Sequence, residues 1–304
     1  MTPQEQIKKL LKTIDASLST FTEGLSPIQQ NTYRKLIELS KGLDIYAGGN
    51  LKNNLTNIKL VGKLRSELEG IVLSDKYLSH VSVFATSYKT IAKLQNQYFS
   101  TIASEFKDKG LFEQIMKNAI TDTVENLTES GVATGYVDAI KDILQTNISA
   151  GGSYADLTNQ LSNFVVGGEN VEGGLVKYAR QTATDSINQF NATYNRAVSD
   201  DLGLTFYQYL GSLITTSRPF CKAMVDKRYF HVSEIPELLK GHIGEKNVAI
   251  NDKTGLPQGM IEGTNQQTFF INRGGYFCQH QIFAVPISDV PPDVVARFSE
   301  AIPN

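Results

Sequence analysis

Thr215-Thr216-Ser217-Arg218-Pro219-Phe220-Cys221 opens, and Asn272-Arg273-Gly274-Gly275-Tyr276-Phe277-Cys278-Gln279-His280-Gln281 nearly closes, the region whose reading decides the fold. Between Thr215 and Pro286 lie both cysteines and three of the four histidines, His231, His242 and His280. Two sulfurs far apart in sequence, the second followed by an imidazole two residues on, come together only if the chain between them folds back. A small closed module is therefore expected here.

Strand-like sequence collects in the same region. Leu204-Thr205-Phe206-Tyr207-Gln208-Tyr209-Leu210 is aromatic, branched and short enough for a strand. Arg228-Tyr229-Phe230, Gln267-Thr268-Phe269-Phe270-Ile271 and Gln281-Ile282-Phe283-Ala284-Val285 are read as its partners. A short helix is expected over Ser233 to Lys240, and the Gly- and Asn-rich loop from Gly241 to Gly263 is long enough to imply function or mobility.

Upstream of Leu202-Gly203 the pattern is helical. Thr2 caps the first helix with Glu5 completing a capping box and Pro3 at the first helical position, and Ile7, Leu10, Leu11, Ile14, Leu18 and Phe21 repeat at three and four residues, one apolar helix face. Gly24 is read as the end of that helix and Ser26-Pro27 as the start of the next. Helical spacing returns from Leu55 to about Glu69, from Asp75 to about Lys109 and from Leu111 to Thr128. Gly131 to Gly135 reads as a break, followed by helix from Tyr136 to Ile148, Ser153 as a cap for Asp156 to Val166, and a last helix over Val171 to Asp201. The expected fold class is α+β, a mainly α-helical N-terminal half followed by a small C-terminal α+β module containing a short antiparallel sheet. The expected divisions are 1–150, a helical docking arm; 151–289, the module; and 290–304, a tail.

The chain has 304 residues, 41% hydrophobic and 20% charged, which excludes wholesale disorder. A net charge of −2 provides no broad basic footprint, so any contact with nucleic acid is local. The sequence after Met1 lacks the basic-then-apolar order of a secretion signal, and no apolar run approaches a membrane span, so synthesis in the cytosol and no membrane span are expected.

Cys221, Cys278 and His280 are ligand types suited to zinc, and His231 is the candidate fourth ligand ahead of Asp226 and His242. Two other readings stand beside this one: cysteines packed as small hydrophobes with His280 bonded to a backbone carbonyl, and a disulfide. The glycine pairs at Gly48-Gly49, Gly151-Gly152 and Gly173-Gly174 lack the Gly-Lys-Ser/Thr of a phosphate cradle. No nucleophile with an adjacent base stands out, and an enzyme is not expected.

Taken together, Ala179-Arg180-Gln181-Thr182-Ala183-Thr184-Asp185 with Asn188, Asn191 and Asn195, then Leu202-Gly203-Leu204, Phe206-Tyr207-Gln208-Tyr209, Ser217-Arg218-Pro219-Phe220-Cys221, Gly274-Gly275-Tyr276-Phe277-Cys278-Gln279-His280 and Val285-Pro286, give a pattern. Over about Ser153 to Pro286 it resembles the C-terminal domain of the phage Mu F-like minor head proteins, or phage head morphogenesis proteins. Gln279 stands where that family has Arg, and Gly275 where it often has His. The resemblance implies a minor capsid protein of a tailed phage or prophage, located in the virion near the portal and in the host cytoplasm during assembly. It also implies portal and other head proteins as partners in an oligomeric assembly, with a role in head morphogenesis or in packaging or ejecting DNA. The alternative is a metal- or thiol-dependent enzyme or a toxin-associated domain.

Overall fold

The computed structural model describes residues 1–108, 110–169, 171–272 and 274–298. Its helices are α1 (Pro3–Ser40), α2 (Leu55–Val72), α3 (Asp75–Ile102), α4 (Leu111–Leu127), α5 (Glu129–Val132), α6 (Asp138–Ala150), α7 (Tyr154–Val165) and α8 (Gly174–Asp201). They are followed by α9 (Pro219–Lys227), α10 (Ile235–Leu239), α11 (Phe269–Asn272) and α12 (Pro292–Ala296). The strands are β1 (Gly167–Gly168), β2 (Val171–Glu172), β3 (Phe206–Leu210), β4 (Tyr229–His231), β5 (His242–Ile243), β6 (Lys246–Asn247), β7 (Ile250–Asn251), β8 (Leu256–Pro257) and β9 (Gln281–Val285). The protein is thus α+β, with its helical half first and small antiparallel sheets in the C-terminal part. Among the described residues, no helix is long and apolar enough to cross a membrane.

Local sequence rules account for several boundaries. Thr2 N donates to Glu5 Oε2 at 2.7 Å and Glu5 N to Thr2 Oγ1 at 3.2 Å, the reciprocal capping box. Ser153 Oγ accepts from Asp156 N at 3.0 Å and starts α7.

Two expected breaks are instead helical. α1 runs unbroken through Gly24 and Pro27. A Cβ at Gly24 would stand 2.3 Å from His80 Cε1, so this glycine serves close packing and not termination. Around Gly131 to Gly135 the chain continues through α5 into a π-helical turn, Ala133–Val137, where Tyr178 packs on both glycines. π turns of this kind insert a residue without ending the helix. α3 stops at Ile102, short of the expectation, and Lys109 lies outside the described residues.

Packing divides the chain into two units that alternate along the sequence and do not meet at residue 150. One comprises Asp15–Ser87 and Ile120–Ala183. Inside it, Phe21 stacks on Phe84 with centroids 4.8 Å apart, and Tyr77 donates to the Leu127 carbonyl at 2.5 Å. Buried Asn57 accepts from Asp44 N and donates to the Asp44 and Lys52 carbonyls. The short β1–β2 ladder also belongs here, outside the expected sheet region.

The other unit comprises Met1–Ile14, Tyr88–Ala119 and the chain from Thr184 onward. Its sheet has the order β4-β3-β9, antiparallel throughout, with Phe206 opposite both His231 and Val285. All of β9 is buried. The expected strand over Gln267 to Ile271 is absent: Asn265 Oδ1 accepts from Gln267 N and Thr268 N at 3.0 and 3.1 Å, an Asx turn that leads into α11. The helical turn lets the consecutive Phe269 and Phe270 both be buried, Phe269 against Phe220 and Phe230, Phe270 against Tyr207. A strand would have sent them to opposite faces. The expected long loop holds two two-residue ladders, β5–β6 and β7–β8. Of the expected tail, residues 299–304 lie outside the described residues.

A ladder of buried amides joins α8 to the start of β9. Asn188 Nδ2 donates to the Cys278 carbonyl at 2.8 Å, Gln281 donates to Asn188 Oδ1, Asn191 Nδ2 donates to Gln281 Oε1 at 2.8 Å, and Gln95 donates to Asn191 Oδ1. Replacing one member strands its buried partners, which costs about 1–3 kcal/mol. Asn191→Ala is expected to lower stability by that order, read as a lower urea midpoint at unchanged slope; an unchanged midpoint would remove the ladder from the account of β9.

Candidate metal centre

The module's turns deliver three ligand types to one buried point. Pro219 sits in the first turn of α9, where its missing N–H costs nothing, and this fixes the helix start so that Cys221 faces inward. Cys278 and His280 come from the segment held by the amide ladder just before β9. Cys221, Cys278 and His280 are all buried, and their ligand atoms lie within 4.8 Å of one another. The Cys221 and Cys278 sulfurs are 3.9 Å apart, and Cys278 Sγ is 3.6 Å from His280 Nδ1. Both cysteines are free thiols, so of the three readings the disulfide is not the arrangement present. The cluster could hold a metal ion.

Residues that sequence reasoning did not single out complete the surroundings. The Tyr209 hydroxyl lies 3.5 Å from the Cys221 sulfur and 3.8 Å from that of Cys278, and its ring stacks on His280 with centroids 5.3 Å apart. Burial pushes the Tyr209 hydroxyl well above its ordinary range, so it remains a phenol able to donate to sulfur. Gly274 is the floor of the site: a Cβ there would stand 2.3 Å from Cys221 Sγ and 3.1 Å from Cys278 Sγ. Arg218 clamps the same segment, with Nη1 donating to the Gly274 carbonyl at 3.0 Å and Nη2 to the Tyr276 carbonyl at 2.7 Å. Phe277 is held at a φ of 56°, a left-handed backbone that a bulky residue rarely adopts. Its N–H donates to Asp185 Oδ1 at 2.6 Å, which ties this turn to α8 as well. The only advance signals for these roles were the Gly274-Gly275 pair and the alternation that puts Tyr209 on the same strand face as Tyr207.

The Cys221 thiol is pushed up, first by its hydrogen bond with Cys278 and then by burial. It is therefore protonated near neutral pH, the opposite of an activated thiolate nucleophile. His280 leaves its buried Nε2 without a hydrogen-bond partner among the described residues. A cavity of about 300 Å³ reaches the cluster, with Cys221, Cys278 and His280 in its wall beside Thr216, Ser217 and Arg218.

His231, the expected fourth ligand, lies elsewhere. It stands opposite Phe206 in the β3–β4 pair and so shares that residue's face, whereas Tyr209, an odd number of residues along β3, points to the other face with the cysteines. Its ring packs between Phe206 and Phe298, with centroids 4.9 and 5.0 Å away, and its Nδ1 bonds Ser233. Asp226 pairs with Lys246 and His242 with Glu237, and neither belongs to the cluster. Comparison with known protein-family models, with curated proteins and with solved structures finds no match.

Burial lowers the pKa of His231, with Glu234 opposing the shift in part. The fold keeps the neutral ring, so its stabilisation is complete above the unfolded value of about 6.5 and declines as pH falls below it toward the lowered native value. Chemical denaturation between pH 7.5 and 5 is expected to show that decline, and His231→Phe to flatten most of it. An equally steep decline in the variant would assign the effect to other groups.

Proposed function

We propose that this chain is an assembly protein of a tailed-phage head, a minor capsid protein that acts beside the portal, and that zinc at Cys221, Cys278 and His280 holds its C-terminal module together. One observation carries this reading: the residues behind the family resemblance, scattered over three segments, converge on one buried site. Asn188 and Asn191 of the Asn-bearing helix hold the Cys278 to Gln281 segment, Arg218 of the Arg-Pro-Phe-Cys turn grips the carbonyls of Gly274 and Tyr276, and both turns present their cysteines to each other. An assembly role uses such a site as a clamp that fixes one surface for neighbouring proteins.

The donor set and its spacing suit zinc. A tetrahedral ion with zinc–sulfur bonds of about 2.3 Å places its sulfurs about 3.8 Å apart, and the sulfurs here are 3.9 Å apart. When bound, zinc supplies the positive charge that lets two thiols stay deprotonated in a buried site. The protein residues do the rest: Tyr209 donates to sulfur and stacks on the imidazole, while Gly274, with no side chain, keeps the space beside both sulfurs clear. In this reading the chain meets portal and other head proteins through helices of its N-terminal half and takes part in packaging or ejecting DNA.

Elemental analysis of purified protein is expected to give one zinc per chain, lost in Cys221→Ser. Gly274→Ala should keep the helical circular dichroism but weaken zinc by roughly 10- to 100-fold, the range for changes just outside the ligands. Absence of zinc from the wild-type protein refolded with the metal removes the clamp. The assembly role has a separate test, since purified virions or prophage particles should contain the chain at low copy number. Particles of full composition that lack it overturn that role.

A further inference from the structure

The cluster supplies three protein ligands among the described residues, whereas a tetrahedral ion takes four. Structural zinc sites are closed by a fourth side chain, and sites with three leave a position open to solvent or ligand. None of the candidate fourth ligands closes it. His231 is on the opposite face of the sheet, and Asp226 and His242 are paired on the surface. Tyr209 contacts the sulfurs, but it is not part of the cavity wall. The three ligand residues, in contrast, all line one cavity of about 300 Å³, and the rest of its wall includes Thr216, Ser217 and Arg218.

We infer that the metal at Cys221, Cys278 and His280 keeps one exchangeable coordination position facing this cavity, and that this position takes water or a small anion of the carboxylate or azide type. This rests on the metal reading above. The charge balance favours such a ligand: two thiolates and a neutral imidazole around a divalent cation leave no net charge at the ion, so an incoming anion meets no repulsion from an anionic site. Arg218 contributes the positive charge at the wall. Both guanidinium bonds to the Gly274 and Tyr276 carbonyls are to neutral acceptors, so they hold the side chain in place without neutralising it. Of the residues lining the cavity, Thr216 is exposed and Ser217 half-buried, so the cavity wall extends to the surface and small solutes have a path inward. The protein carries a buried clamp whose last position is nevertheless reached from outside.

The test uses the whole wild-type chain with cobalt(II) in place of zinc, because cobalt bound by thiolate has visible bands that report its ligands. Titration with sodium azide is expected to shift those bands saturably, and zinc added in excess should abolish them. Acetate should compete with azide for the same change. If cobalt binds one per chain with sulfur charge-transfer bands and azide changes nothing, the position is closed and this inference falls while the metal site stands. If Tyr209→Phe then gains the azide response, the phenol was the fourth ligand, and the inference is again overturned. If no cobalt binds at all, the metal reading itself fails and takes the inference with it.

Discussion

The hydrogen bonds from the Asn-bearing face of α8 to the segment Cys278 to Gln281 are the constraint on which the C-terminal module depends. β9 is buried along its whole length, yet the residues before it cannot pair in the sheet, and their polar groups need partners in the interior. Asn188 satisfies the Cys278 carbonyl, and Asn191 with Asn188 holds the side chain of Gln281. Position and register follow together: with Gln281 fixed, Val285 falls opposite Phe206 and Tyr98 can donate to the Ala284 carbonyl at 2.6 Å. A slip of one residue would turn every side chain of β9 to the wrong face and would carry Cys278 away from Cys221. The amides therefore set both the sheet and the site.

Much of this was legible because the relevant signals are local. The change from helical spacing to short aromatic runs near Gly203 marks where β3 begins, and Gln281 to Val285 is a strand over its full predicted length. Capping at Thr2 and Ser153 depends on residues three apart and reads directly. The failures share a different cause. Gly24, Gly131 and Gly135 look like helix ends because glycine weakens a helix locally, but what decides them is a ring from elsewhere in the chain, His80 or Tyr178, lying where a Cβ would be. Phe269 and Phe270 look like strand, yet the need to bury both adjacent rings selects a turn of helix. Long-range packing overrode the local preference in each case.

The site shows the same division. Residue types and order pointed to Cys221, Cys278 and His280, since few chemistries use that set. His231 was plausible by type alone, but ligand geometry depends on which face of a strand a side chain occupies, and that parity is fixed by register with Phe206. Tyr209 and Gly274 could not be singled out because their roles come from proximity to sulfurs that arrive from two other segments.

The turn that carries Cys278 is also tied by hydrogen bonds that use no ligand atom, and this bears on what an ion would add. Arg218, Asn188 and Asp185 each fix the Gly274 to Cys278 turn through backbone atoms, so the turn is anchored from two directions before any ligand atom is used. In small metal-dependent domains the ion supplies most of the folding energy because little else orders the ligands. Here hydrogen bonds and the packing of Phe220, Phe230, Phe269 and Phe270 share that ordering. An ion would then act mainly by replacing two thiol protons with a tighter link between α9 and the turn before β9. Its binding would rise with pH as those protons leave, and the link would add to the hydrogen bonds that hold the module.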